Sequence, residues 1–172
     1  TPPPPAPPRI PASLSLRGGL ALGATPTNGA VGLQWRSGRT GLFNATAGVA
    51  WSPEVRTDDQ TAGFGYTALY GGACVGSRGA PLRVSGCLGV QGGAVHAFAR
   101  SFVAVAPGDY LWAGVFGEAS GRLRVLAPLF VELSARAAVA LYQSRFVIQG
   151  RGDAWRPWPV ALDLSLGVGI DL

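Results

Sequence analysis

At 172 residues the chain is long enough for one domain with a sizeable core or for one small barrel. Only 13% of its residues are charged, against roughly 25% in ordinary soluble domains, yet no apolar run is long enough for a transmembrane helix. The net charge of +5 rests on 14 scattered arginines without interleaved aromatics, which argues against nucleic acid, and two Cys with one His fit no metal-ligand spacing.

Residues 1–11, Thr-Pro-Pro-Pro-Pro-Ala-Pro-Pro-Arg-Ile-Pro, read as polyproline II, a stiff spacer of about 3 Å per residue that cannot build a core. Such a segment predicts the end of a linker to an upstream domain; a frayed terminus is the alternative. A chain that lacks methionine and starts at Thr1 predicts removal of a signal peptide or a longer upstream region.

From residue 12 onward the period is two, not 3.6, which predicts strands with one apolar and one polar face. The first segment (13–24) sets Leu14, Leu16, Leu20 and Leu22 against Ser13, Ser15, Arg17 and Gly19. The second (30–36) alternates Val31, Leu33 and Trp35 with Gly32, Gln34 and Arg36. The third (42–52) sets Phe43, Ala45, Ala47, Val49 and Trp51 against Asn44, Thr46 and Gly48. The fourth (61–76) leaves its parity open, with Phe64, Tyr66 and Tyr70 opposing Thr67, Leu69 and Val75. The fifth (82–98) sets Leu82, Val84, Leu88 and Val90 against Arg83, Ser85, Cys87 and Gln91. In the sixth (110–125), Leu111, Ala113, Val115, Leu123 and Val125 oppose Glu118, Ser120, Arg122 and Arg124. In the seventh (129–142), Leu129, Val131, Leu133, Val139 and Leu141 oppose Glu132, Ser134 and Arg136. The eighth (160–172) alternates without a break to Leu172, with Asp163 and Asp171 on its polar face. About ten such residues, tilted, cross the hydrocarbon core of a bilayer.

The turns sort by length. Those at 37–40, 77–81 and 126–128 are short; those at 53–60, 99–109 and 143–159 are long, with 25–29 a short exception on their side. Short turns on one rim and long loops on the other are the asymmetry of outer-membrane barrels. Trp51, Phe64, Phe98, Tyr110, Trp112, Tyr142, Trp155 and Trp158 fall near the long-loop ends and read as an interfacial girdle. A polar face of Gly, Ser and Ala with isolated charges is too sparse for a soluble exterior, so the aliphatic face is expected to meet lipid. The lumen then holds Arg17, Arg36, Arg83, Glu118, Arg122, Arg124, Glu132, Arg136, Asp163 and Asp171, with glycines making room for the arginines. A three-residue turn at Leu126-Ala127-Pro128 sets Glu118 opposite Arg136 and Arg122 opposite Glu132. Because an unpaired lumenal charge is costly, these pairs predict a plug; a conduit opened by exchanging partners is the sharper alternative. Cys74 and Cys87 are equidistant from a hairpin centre near Ala80, which predicts a disulfide that puts Cys74 and Tyr70 on the lumenal face with Cys87 and Gln91.

In this pattern residues 12–172 resemble the small eight-stranded outer-membrane barrels of Gram-negative bacteria, the OmpA/OmpX type. The resemblance implies an all-β, antiparallel, up-and-down transmembrane barrel with a plugged interior. It also implies that the assembly signal read by the barrel-assembly machinery falls on Ser165, Gly167, Ile170 and Leu172; the family usually ends in an aromatic, and Leu172 departs from that. The function expected is a non-enzymatic, monomeric anchor or sensor module without cofactor or metal, in contact with outer-membrane lipid. Its N-terminus is expected in the periplasm, tethered through residues 1–11. A small channel for apolar or anionic solutes is the second reading and a soluble ligand-binding barrel the third. His96 beside Ser101 near a long loop is the only hint of a lipid-modifying site, and Arg151-Gly152-Asp153 spells an adhesive tripeptide that arises easily by chance.

Overall fold

The computed structural model describes residues 12–23, 28–38, 43–56, 62–77, 81–99, 108–142, 146–148, 152–155 and 158–172. The Pro-rich segment 1–11, Ser101 and Arg151 lie outside the described residues, as does much of the long loops.

The alternating segments form the strands β1 (Ala12–Leu22), β2 (Asn28–Ser37), β3 (Phe43–Arg56), β4 (Ala62–Gly76), β5 (Leu82–Ala99), β6 (Gly108–Leu126), β7 (Leu129–Tyr142) and β10 (Val160–Asp171). They close into an antiparallel barrel in the order β1-β10-β7-β6-β5-β4-β3-β2. The segment between β7 and β10, expected to be loop throughout, also contains β8 (Phe146–Ile148) and β9 (Gly152–Trp155), which pair with each other as a separate ribbon. Strands this short carry too few residues for alternation to register.

A path from Ala12 across hydrogen-bonded neighbours through Ser37, Ala45, Ala73, Leu88, Gly117, Ala137 and Leu162 returns to β1 at Leu22, ten residues farther along. With that stagger, eight strands tilt by about 40° and leave an interior that side chains can fill. Ser13 pairs with Asp171, and the Leu172 N–H donates to the Ala12 carbonyl at 2.8 Å, so both described ends of the barrel lie at the short-turn rim.

Alternation decides what faces where. Leu16, Leu69, Leu88, Leu111, Leu133 and Leu166 are each more than half exposed, whereas Ser13, Arg17, Gln34, Glu118 and Glu132 are buried. An apolar exterior that runs right round the barrel far exceeds the few hundred Å² a soluble monomer tolerates. In a bilayer it is in its own solvent. The parity of β4, left open by its sequence, follows its register: Tyr66, Tyr70 and Cys74 point inward, Leu69 and Val75 outward.

Two expectations change. β6 and β7 do align Glu118 with Arg136 and Arg122 with Glu132, but through a two-residue turn at Ala127-Pro128, joined by a cis peptide. Leu126 pairs with Leu129, and a register shift between Arg124 and Leu126 restores the alignment expected of a longer turn. The girdle is also split. Trp51, Tyr142 and Trp158 are outward and exposed, but Phe64 is buried among Ala21, Ala30, Tyr66, Ala68 and Val95, with Tyr110 and Trp112 packed against that cluster. Nearness to a strand end was the wrong criterion. Parity sends Trp112 to the same side as Glu118, into the barrel.

Candidate functional site

The interior at mid-barrel is a charge cluster built around two glutamates. Glu118 on β6 accepts at Oε1 from Arg17 on β1 (3.2 Å) and Arg36 on β2 (2.9 Å), and at Oε2 from Arg136 on β7 (2.6 Å). Glu132 on β7 has Arg17 and Arg36 each 2.9 Å from Oε1, and Arg122 3.7 Å from Oε2. Those contacts at Glu132 lie off the hydrogen-bonding directions of its carboxylate, so they act as charge attraction. Arg17 and Arg36 thus bridge both carboxylates. The sequence-level pairing was too simple: Glu118 does bind Arg136, but the near partners of Glu132 come from β1 and β2, across the lumen.

Polar side chains complete the layer. Gln34 donates to Thr46 at 2.9 Å, Arg36 to Ser85 at 3.1 Å and Ser120 at 3.0 Å, and the Ser134 and Ser165 hydroxyls meet at 2.7 Å. Aromatic faces cover the flanks of the arginines. Arg136 lies 3.8 Å from the Tyr70 ring centre and 4.8 Å from that of Phe116, which meet edge to face, and Arg122 lies 3.7 Å over Phe130. Each cation–π contact adds about 2 kcal/mol where water is excluded. Alternation could have found these rings, since Phe116 and Phe130 each precede a lumenal glutamate by two residues. The lumenal glycines serve them more than the arginines: a Cβ at Gly48, Gly89 or Gly169 would strike Tyr70, Phe116 or Phe130, and only at Gly167 is Arg17 the side chain met.

The remaining site residues spread along the axis. Arg124 is at the short-turn rim, half exposed, with Asp171 at 2.9 Å; Arg83 is exposed near the same rim. Arg83 and Arg124 therefore sit at the mouth, where Asp171 meets Arg124, while farther in Arg17, Arg36, Arg122 and Arg136 face Glu118, Glu132 and Asp163. Asp163 stands opposite Arg136 on β10, and both line a cavity of about 40 Å³ below Tyr66 and Trp112, room for a few waters. Cys74 and Cys87 face each other in register and are joined by a disulfide, buried beside Tyr70 and Phe116. On β10, Ser165 and Gly167 point inward and Ile170 outward, and Leu172, just past the strand's end, is exposed. His96 lies within 3.0 Å of Thr67 on β4.

No family model and no curated protein sequence matches the chain. Solved structures do. The N-terminal β-barrel domain of Pseudomonas aeruginosa OprF superposes with a TM-score of 0.65 at 12% identity, over 94% of this chain and 97% of that one. The fold is that of the small outer-membrane barrels. A major outer membrane protein from Thermus thermophilus gives the same TM-score at 9% identity over 95% and 99% of the two chains. Neisserial surface protein A gives 0.62 at 9% identity over 95% and 97%. At such identities what is shared with these small outer-membrane barrels is architecture: a closed ring of eight strands.

Proposed function

We propose that this chain is a non-enzymatic membrane anchor or sensor module of a Gram-negative outer membrane, closed to solutes at mid-barrel. The observation that carries this reading is the pairing of an aliphatic exterior with a buried cluster of ion pairs. Glu118 and Glu132 each hold several guanidinium groups from different strands, so opening a path means separating charges in a low-dielectric interior. The short-turn rim is assigned to the periplasm, as in barrels of this architecture. Ala12 and Leu172 then both lie on the periplasmic side, where residues 1–11 would lead as a stiff tether to an upstream domain. Ser165, Gly167, Ile170 and Leu172 are the positions we assign to recognition by the barrel-assembly machinery, and we take the barrel to be a monomer. A small channel is the competing reading, and planar-bilayer recording separates the two. The anchor reading expects no steady conductance from inserted, heat-modifiable protein; a persistent open level would overturn it.

A further inference from the structure

Charge is unevenly spread along the barrel axis. The long-loop segments 53–60, 99–109 and 143–159 hold five acids and five arginines, so the net charge of +5 comes from the rest of the chain. That surplus gathers toward the short turns. At mid-barrel Arg17, Arg36 and Arg136 have Glu118, Glu132 and Asp163 in reach, but at the mouth Arg83, Arg122 and Arg124 have one carboxylate beside them, Asp171. The turn sequences 37–40 and 77–81 add Arg39 and Arg78 and no acid. The three strand arginines hold lumenal positions, because their neighbours Leu82, Val84, Leu123 and Val125 are about half exposed on the outer wall. Water, not lipid, reaches them. Arg83 stands directly opposite Arg122 in the β5–β6 register, and the Arg124 N–H donates to the Pro81 carbonyl at 3.2 Å, one lumenal position farther out on the same strand pair. Like charges directly opposed destabilise a strand pair. Arg122 is offset by Glu132 at 3.7 Å from within and by Asp171 at 3.3 Å, but no acid pairs with Arg83 among the described residues. Asp171 shows what the mouth accepts: its two oxygens bridge Arg122 and Arg124 at 3.3 and 2.9 Å. Arg83 is exposed and Arg124 half exposed, so a second carboxylate can reach both from the water side.

Resting on the assignment of the short-turn rim to the periplasm, we propose that this mouth docks an acidic peptide segment of a periplasmic partner, with one of its carboxylates between Arg83 and Arg124. A carboxylate there offsets the repulsion between Arg83 and Arg122, and guanidinium–carboxylate bonds are among the stronger hydrogen bonds. The surplus positive charge around the mouth favours a segment with several acids over a single anion. A lipid headgroup fits less well, because it would approach from the outer wall, where these positions present Leu82, Val84, Leu123 and Val125. The test is fluorescence anisotropy of a dye-labelled octaglutamate peptide with the whole protein in dodecylmaltoside micelles. The peptide should bind, octalysine should not, and free glutamate at matched carboxylate concentration should not displace it. Arg83→Gln should weaken binding by about fivefold or more, and Arg83→Gln/Arg124→Gln further, each variant verified as folded by its gel shift on heating. Arg56→Gln removes the same charge from an exposed position near the opposite rim and should bind like the parent. Equal loss from Arg56→Gln, no loss from Arg83→Gln, or displacement by free glutamate or by phosphatidylglycerol added to the micelles would overturn the site. The periplasmic assignment is read separately. With both native cysteines in the disulfide, Arg83→Cys in whole cells should react with a membrane-impermeant maleimide only after the outer membrane is permeabilised. Labelling of intact cells would overturn that assignment and with it the periplasmic partner, whatever the peptide does in micelles.

Discussion

At the residue scale the interior is held by shared partners, and that sets what a substitution does. Removing Glu118 leaves Arg136, Arg17 and Arg36 short of a carboxylate at once. Glu118→Ala should therefore lose about 3–5 kcal/mol in denaturant unfolding, the range for a broken buried pair. Glu118→Ala/Arg136→Ala should recover only part of the sum of the two single losses, because Arg17 and Arg36 still lack one of their two acids. Strict additivity would mean that Glu118 and Arg136 do not interact. Arg124→Ala is the contrast: its partner Asp171 is also partly exposed, so the change should stay below about 1 kcal/mol in the same assay.

At the element scale every strand presents lipid on one side and lumen on the other. Leu166→Arg, near the middle of β10 and outward, should cost about 2–4 kcal/mol when unfolding is followed in bilayers, whereas Leu172→Arg at the rim should cost about 1 kcal/mol or less. Equal costs would mean that β10 has no depth gradient. Loss of the β4–β5 cross-link by Cys74→Ala/Cys87→Ala should lower stability by about 3 kcal/mol, as expected for closing a loop of this size. Much of this scale is legible in the sequence. Period-two alternation placed the barrel strands to within a few residues, the lumenal side of seven of them and the Cys74–Cys87 register, because one buried face makes a one-residue slip expensive; β3 runs on to Arg56, past its expected end at residue 52, because the bulge between Ser52 and Val55 breaks the alternation there. What alternation could not supply was contact across the lumen. Arg17 and Arg36 reach Glu132 from strands that are not its hydrogen-bonded neighbours, and only barrel closure brings them together. The β6–β7 turn was misread because a register shift near Val125 mimics a longer loop, and Trp112 because its distance from a strand end was weighed above its parity.

At the scale of the whole molecule, a soluble and a membrane barrel with the same topology differ only in which face is apolar. Here the buried layer is held by shared ion pairs between arginines and glutamates, and the aliphatic face has no protein partner among the described residues. The most direct test is a spin-label scan of β10 from Val160 to Ile170 in the protein reconstituted into bilayers; both native cysteines are tied up in the disulfide, so a single introduced Cys can be labelled. Labels at Leu162, Leu164, Leu166 and Val168 should be relaxed by oxygen, which concentrates in lipid, and not by a water-soluble nickel chelate. Labels at Asp163 and Ser165 should respond to neither. Even-numbered positions relaxed by the chelate instead of by oxygen would contradict the account at its centre.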